Sequence, residues 1–150
     1  NLEGNELGAS FGMVQLERLD QNIASRQANF ERQCKFFDNY PDYFSNPQET
    51  HGCNTAWLAF PIMIKEDAPF TRKEFQIFLE KRNIQTRVVF TGNILRQPMC
   101  QNISKKVLKE GYPNADRVMS RGVLLPLHHG MTESMFSRFH ATVHKFIEQF

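Results

Sequence analysis

Arg87, Asn93 and Arg96 place two guanidiniums and an amide within one short stretch. A guanidinium forks onto a phosphate or carboxylate through paired N–H groups, so the chemistry on offer is anion capture. The same residues also suit arginines that pair with acidic groups of a neighbouring helix. The run from Thr86 to Pro98 reads as a short strand that breaks at Gly92 into a polar loop closed by Pro98. Polar groups set just past a strand end are where a rigid scaffold presents ligand-binding chemistry.

Other groups with chemical potential are more dispersed. His128-His129-Gly130 precedes a helix start. Backbone N–H groups and the helix dipole can hold an anion there, with His128 adding a hydrogen bond. A plain solvated loop fits the same residues. His140 and His144 stand four apart, a spacing that binds zinc when a third ligand exists. Ala141, Thr142 and Val143 between them supply none, so an exposed helix face is expected. No serine lies in a nucleophile-elbow context, and no glycine-rich phosphate loop is found.

The elements that must position these groups are legible from periodicity. Residues 5–37 read as one long helix, straight or bent, capped by Asn5, with apolar residues on two overlapping faces. A domain this small cannot easily cover both faces, so self-association along this helix is expected. Residues 39–54 are rich in loop formers. Trp57 to Ile64 is a strand, with Pro61 pointing to an edge or a bulge. Thr71 and Glu74 form a capping box, and Phe70 and Phe75 a staple, for a helix to about Arg82. A second strand spans 85–90. The stretch 91–113 is irregular, with a turn at 105–109. Asn114 caps a short helix ended by Gly122. A third strand spans 123–127, and Thr132 caps a final helix. Three short strands with helices predict an α+β layer with an antiparallel or mixed sheet.

Composition removes several classes. One hundred and fifty residues suit one domain. A charge of +2 with scattered basic residues argues against a nucleic-acid partner. No apolar run is long enough for a membrane span. Cys34, Cys53 and Cys100 are odd in number and far apart, which fits a reducing cytoplasm rather than a disulfide framework. They also lack the spacing of a metal site. Fourteen phenylalanines point to core and interface packing. An opening Asn1 in place of methionine is expected of a fragment or processed chain.

The sequence resembles the DegT-type nucleotide-sugar aminotransferases and 3-dehydrases. The likeness rests on Asn1-Leu2 with Glu6 to Gly12 and Gln15 to Leu19, on Trp57 to Ile62, on Phe70 to Arg87, on Asn114 to Met119 and on Leu125 to Thr132. Phe90 to Pro98 resembles the substrate loop of the 3-dehydrase branch, closest to enzymes acting on CDP-4-keto-6-deoxyglucose. The aminotransferase branch carries "His-Tyr-Pro" and a later histidine, where this chain has Val89-Phe90-Thr91 and Leu95. His128-His129 departs from the 3-dehydrase form.

The resemblance implies the small C-terminal domain of a fold-type-I enzyme dependent on pyridoxal or pyridoxamine phosphate. Its sheet would be short and mostly antiparallel. Residues 1–38 would be a connecting helix and 39–150 the domain itself, with the large cofactor domain upstream. Asn1 would reach the cofactor phosphate across a homodimer interface. Arg87, Asn93, Arg96 and His128 would contact a nucleotide-sugar substrate. The family's Schiff-base lysine, or the histidine that replaces it in dehydrases, would lie upstream, so the chain alone is expected to be inactive and to bind no cofactor stably. An iron–sulfur reductase partner and a role in making deoxysugars for lipopolysaccharide belong to the same expectation. The alternatives are an aminotransferase domain and a stand-alone, non-catalytic interaction module.

Overall fold

A computed structural model describes residues 4–150. Asn5 opens the first helix, its side-chain oxygen accepting from Gly8 N at 2.6 Å. The expected single helix is two: α1 (Glu6–Glu17) and α2 (Leu19–Phe37), divided at Arg18. None of α1 is buried, and Leu7 and Phe11 are 85% and 68% exposed. The apolar face read from the sequence therefore exists, but nothing among the described residues covers it.

The sheet runs β1-β2-β4-β3 and is antiparallel throughout. It is made of β1 (Phe44–Ser45), β2 (Phe60–Ile64), β3 (Arg87–Val88) and β4 (Gly122–Leu125). The two-residue β1 lies inside the stretch expected to be loop. Pro61 sits in an inner strand rather than at a sheet edge. It is tolerated because β1 reaches only Met63 and Ile64, so β2 is locally unpaired on that side at Pro61. Phe60, Ile62 and Ile64 alternate into the core, as the period of a half-buried strand requires.

Helices α3 (Arg72–Glu80) and α5 (Glu133–Ile147), with the end of α2, close over that face. Both helix starts follow the sequence. Thr71 and Glu74 complete their capping box, and Thr132 Oγ1 accepts from Met135 N. Asn83 turns the chain out of α3 with φ +56, and Ile84 N returns to Leu79 O at 3.1 Å. Phe75, Phe139, Val143 and Phe146 fill the resulting layer. Helix α4 (Pro113–Arg121) packs against β2 and β4. It begins at Pro113 after Tyr112, so Asn114 lies inside its first turn and is not the cap. A proline at the first helical position is favourable because its missing N–H would have no helical partner there.

Candidate functional site

The strand expected over 85–90 is only Arg87–Val88, at the open edge of the sheet. Arg87 lies opposite Leu124 and therefore shares its face, away from the Phe60 and Val123 side. Its guanidinium is exposed and pairs with no carboxylate among the described residues. The strand ends early because Val89 to Gly92 turn, with Gly92 N bonded to Val89 O at 3.2 Å. Phe90 in that turn has φ +46 and Gly92 has φ +64. A Cβ at Gly92 would overlap Cα and Cβ of Met119, so only glycine lets the loop lie against α4.

Beyond Gly92 the loop forms two short 3₁₀ turns, Ile94–Arg96 and Pro98–Cys100. Asn93 caps the first through its side-chain oxygen, which accepts from Leu95 N at 3.0 Å. Its amide nitrogen donates to Asp116 Oδ1 at 2.8 Å. Arg96 donates to the same carboxylate through Nε and Nη2, at 2.9 and 2.8 Å. Asn93 is only 5% exposed. The two-pronged arginine bond, then the amide, hold the Asp116 carboxyl down at about 2. Asn93 and Arg96 thus clamp the loop to α4. A cavity of about 330 Å³ opens beside the clamp, lined in part by Lys105, Glu110 and Tyr112.

His128 lies elsewhere. Val88 faces Val123, so the loop after β3 leaves at the Gly122 end of β4, whereas His128 follows the Leu125 end. Strand β4 alone separates the two by about 10 Å. The structure brings Asn93 and Arg96 together, leaves Arg87 alone on the edge strand, and sets His128 apart. The His128 ring accepts from Gly130 N at Nδ1, 3.1 Å away, which leaves Nε2 as the N–H donor. Its carbonyl accepts from Asn29 of α2 at 2.8 Å. It borders a second, 220 Å³ cavity with Met131, Met135 and Phe139. Asn1 lies outside the described residues.

His140 and His144 do not occupy a bare solvated face. The His140 ring stacks on Phe36 at 3.9 Å and bonds Gln33 Oε1 at 2.9 Å. His144 Nδ1 meets Tyr40 Oη at 2.9 Å. His140 is thus a half-buried packing residue of the α2–α5 contact, whereas His144 stays on the exposed face, beside Glu148 at 3.3 Å. Among the described residues no group of three His, Cys, Asp or Glu could hold a metal ion. No helix there is long and apolar enough to cross a membrane.

Asp116 is the central residue that sequence reasoning missed. It lies 20 positions after Arg96, and no local pattern links the two. The reading that these arginines pair with acidic groups of a neighbouring helix holds for Arg96, although the sequence did not say which carboxylate. A Schiff-base lysine needs desolvation or a cationic neighbour to become nucleophilic. All eight lysines are exposed, so the described residues do not fit covalent anchoring of a B6 cofactor. They offer guanidiniums, an amide and an imidazole, groups that can hold an anion or donate a hydrogen bond.

A family model described as the DegT/DnrJ/EryC1/StrS aminotransferase family matches residues 1–144. The chain is 32% identical over 132 residues to the lipopolysaccharide biosynthesis protein RfbH of Salmonella typhimurium, covering 88% of this chain and 30% of that protein. It is 29% identical over 147 residues to dTDP-4-dehydro-2,6-dideoxy-D-glucose 3-dehydratase of Saccharopolyspora spinosa, covering 98% of this chain and 31% of that protein. A solved structure of GDP-4-keto-6-deoxymannose-3-dehydratase with a trapped PLP-glutamate geminal diamine superposes with a TM-score of 0.73 at 26% identity, covering 86% of this chain and 33% of that one. The chain thus spans about 30% of the length of the curated relatives it matches.

Proposed function

The chain belongs to the DegT/DnrJ/EryC1/StrS aminotransferase family, and from this we propose that it is the substrate-presenting C-terminal domain of a nucleotide-sugar 3-dehydratase. The observation that carries the reading is the loop Phe90–Pro98, clamped to α4 through Asp116 beside an Arg87 that meets no carboxylate among the described residues. A rigid loop with a free cation suits the diphosphate of a nucleotide sugar. In this reading Arg87 takes the anionic charge. Asn93 and Arg96 hold the loop in shape, and His128 offers its Nε2–H to substrate from the other end of β4. Leu95, where the aminotransferase branch has a histidine, favours the dehydratase over the aminotransferase.

The same proposal assigns residues 1–38, which hold the two helices α1 and α2, to the connecting segment and 39–150 to the small domain. It places pyridoxal or pyridoxamine phosphate on other parts of the protein, with Asn1 reaching the cofactor phosphate. A homodimer in the cytoplasm is part of it, as is an iron–sulfur reductase partner. The uncovered apolar face of α1 supports burial against further protein.

The test uses the full-length protein with pyridoxamine phosphate and GDP-, dTDP- and CDP-linked 4-keto-6-deoxyhexoses, with and without a reduced iron–sulfur protein as electron donor, products read by mass spectrometry. The expected product has lost the 3-hydroxyl. Transfer of an amino group to the sugar, with the 3-hydroxyl kept, would assign the protein to the aminotransferases instead.

A further inference from the structure

Phe90 is the most exposed aromatic ring among the described residues, at 86%. It also has φ +46, in the left-handed region that side chains with a Cβ resist. Two unfavourable features on one residue call for a cause, and the loop supplies the means of enforcing them. On the far side of Phe90, Gln97 Nε2 donates to Thr91 O at 3.1 Å. Gly92 is seated against Met119 without room for a side chain. Asn93 and Arg96 are fixed by Asp116. On the near side, β3 is paired to β4. The backbone is determined on both flanks, and the ring is held out into solvent between them. Strained backbone that its surroundings over-determine is characteristic of ligand-contacting loops.

We propose that the Phe90 ring is the platform on which the base of the nucleotide stacks, with the exposed Arg87 guanidinium three residues earlier taking the phosphates. This rests on the reading of the domain as a nucleotide-sugar binder and says which residue meets which half of the ligand. Every base has a flat π-face, so stacking tolerates different bases. That suits a fold whose relatives are named for dTDP-linked and GDP-linked sugars. A pre-set aromatic also avoids the ordering cost of a mobile one, since the loop is fixed before the ligand arrives.

The test exploits the backbone. Glycine is at ease at positive φ, whereas alanine keeps the strain and loses the same ring. In the full-length protein, Phe90→Gly and Phe90→Ala are titrated with GDP, dTDP and inorganic pyrophosphate, and their melting temperatures compared. Both variants should bind GDP and dTDP about ten- to a hundredfold more weakly, with pyrophosphate unchanged. Phe90→Gly should melt no lower than the unmodified protein and above Phe90→Ala. Undiminished GDP and dTDP affinity in both variants overturns the inference alone. So does a fall of several degrees in Phe90→Gly, because the ring would then be packed against protein. Failure of the unmodified protein to bind any nucleotide or nucleotide sugar overturns the functional reading together with it.

Discussion

Phe37 and Phe60 stack with ring centroids 5.5 Å apart, Phe75 and Phe146 meet at 5.2 Å, and none of the four exposes more than 3% of its surface. Phe90, past the edge strand of the same sheet, is almost wholly in water. One residue type does two jobs here, and the supports differ accordingly. The buried rings are placed by apolar periodicity on strands and helices, where each ring fixes the next. Phe90 is placed by polar contacts, a glycine and a carboxylate borrowed from α4. The first region gains stability by excluding water. The second forgoes burial and keeps a defined surface for something else to cover.

The largest effect that separates the two regions is in the core. Phe75 is fully buried, so Phe75→Ala removes its transfer free energy and leaves a cavity, costing about 3–5 kcal/mol. Chemical denaturation measures this directly. A loss under about 1 kcal/mol would mean that the aromatic layer is loosely packed and the contrast with the loop is false.

A smaller effect concerns the one imidazole at the border of the aromatic layer. Burial, with Arg32 nearby, pushes His140 down to about 4. Its neighbours Phe36, Phe136 and Gln33 offer no negative charge, and Gln33 Nε2 is itself buried without a partner. The unfolded chain takes up this proton near 6.5, whereas the folded chain resists it until about 4. Stability from this group is therefore complete above about pH 6.5 and is lost as pH falls toward 4. Half of the ring remains near solvent, so the amount is held to about 1–2 kcal/mol. Denaturation midpoints of the unmodified chain and His140→Phe across that window should converge toward pH 7 and diverge toward pH 4. Parallel curves would show that His140 titrates as an exposed histidine.

How far the sequence reached follows the same division. Capping boxes, staples and the alternation of Phe60, Ile62 and Ile64 are local, and local pattern placed α3, α5 and β2 well. A bend in the long helix was open from the sequence, but its place at Arg18 was not, because both flanks carry helical periodicity. Strand β1 was invisible because two residues give no period. In the loop, Arg87, Asn93 and Arg96 were noticed as chemical types. Their division into one free cation and two clamped groups was not, because it depends on Asp116 arriving from another helix. The exposed face expected for the i, i+4 histidines holds for His144 and fails for His140, whose partners Gln33 and Phe36 lie about a hundred residues earlier.

The most direct test of the central claim, that the edge strand and its loop bind the anionic nucleotide part of a sugar nucleotide, is the affinity of full-length Arg87→Ala for a GDP- or dTDP-linked 4-keto sugar. Among the described residues Arg87 has no carboxylate partner to leave stranded, so the change should spare the fold. Losing a charge-assisted contact should weaken binding about ten- to a hundredfold, and the remaining affinity should depend less on salt. Arg96→Ala, which frees the clamp, should weaken binding as well. Affinity and salt dependence equal to those of the unmodified protein in both variants would contradict the account.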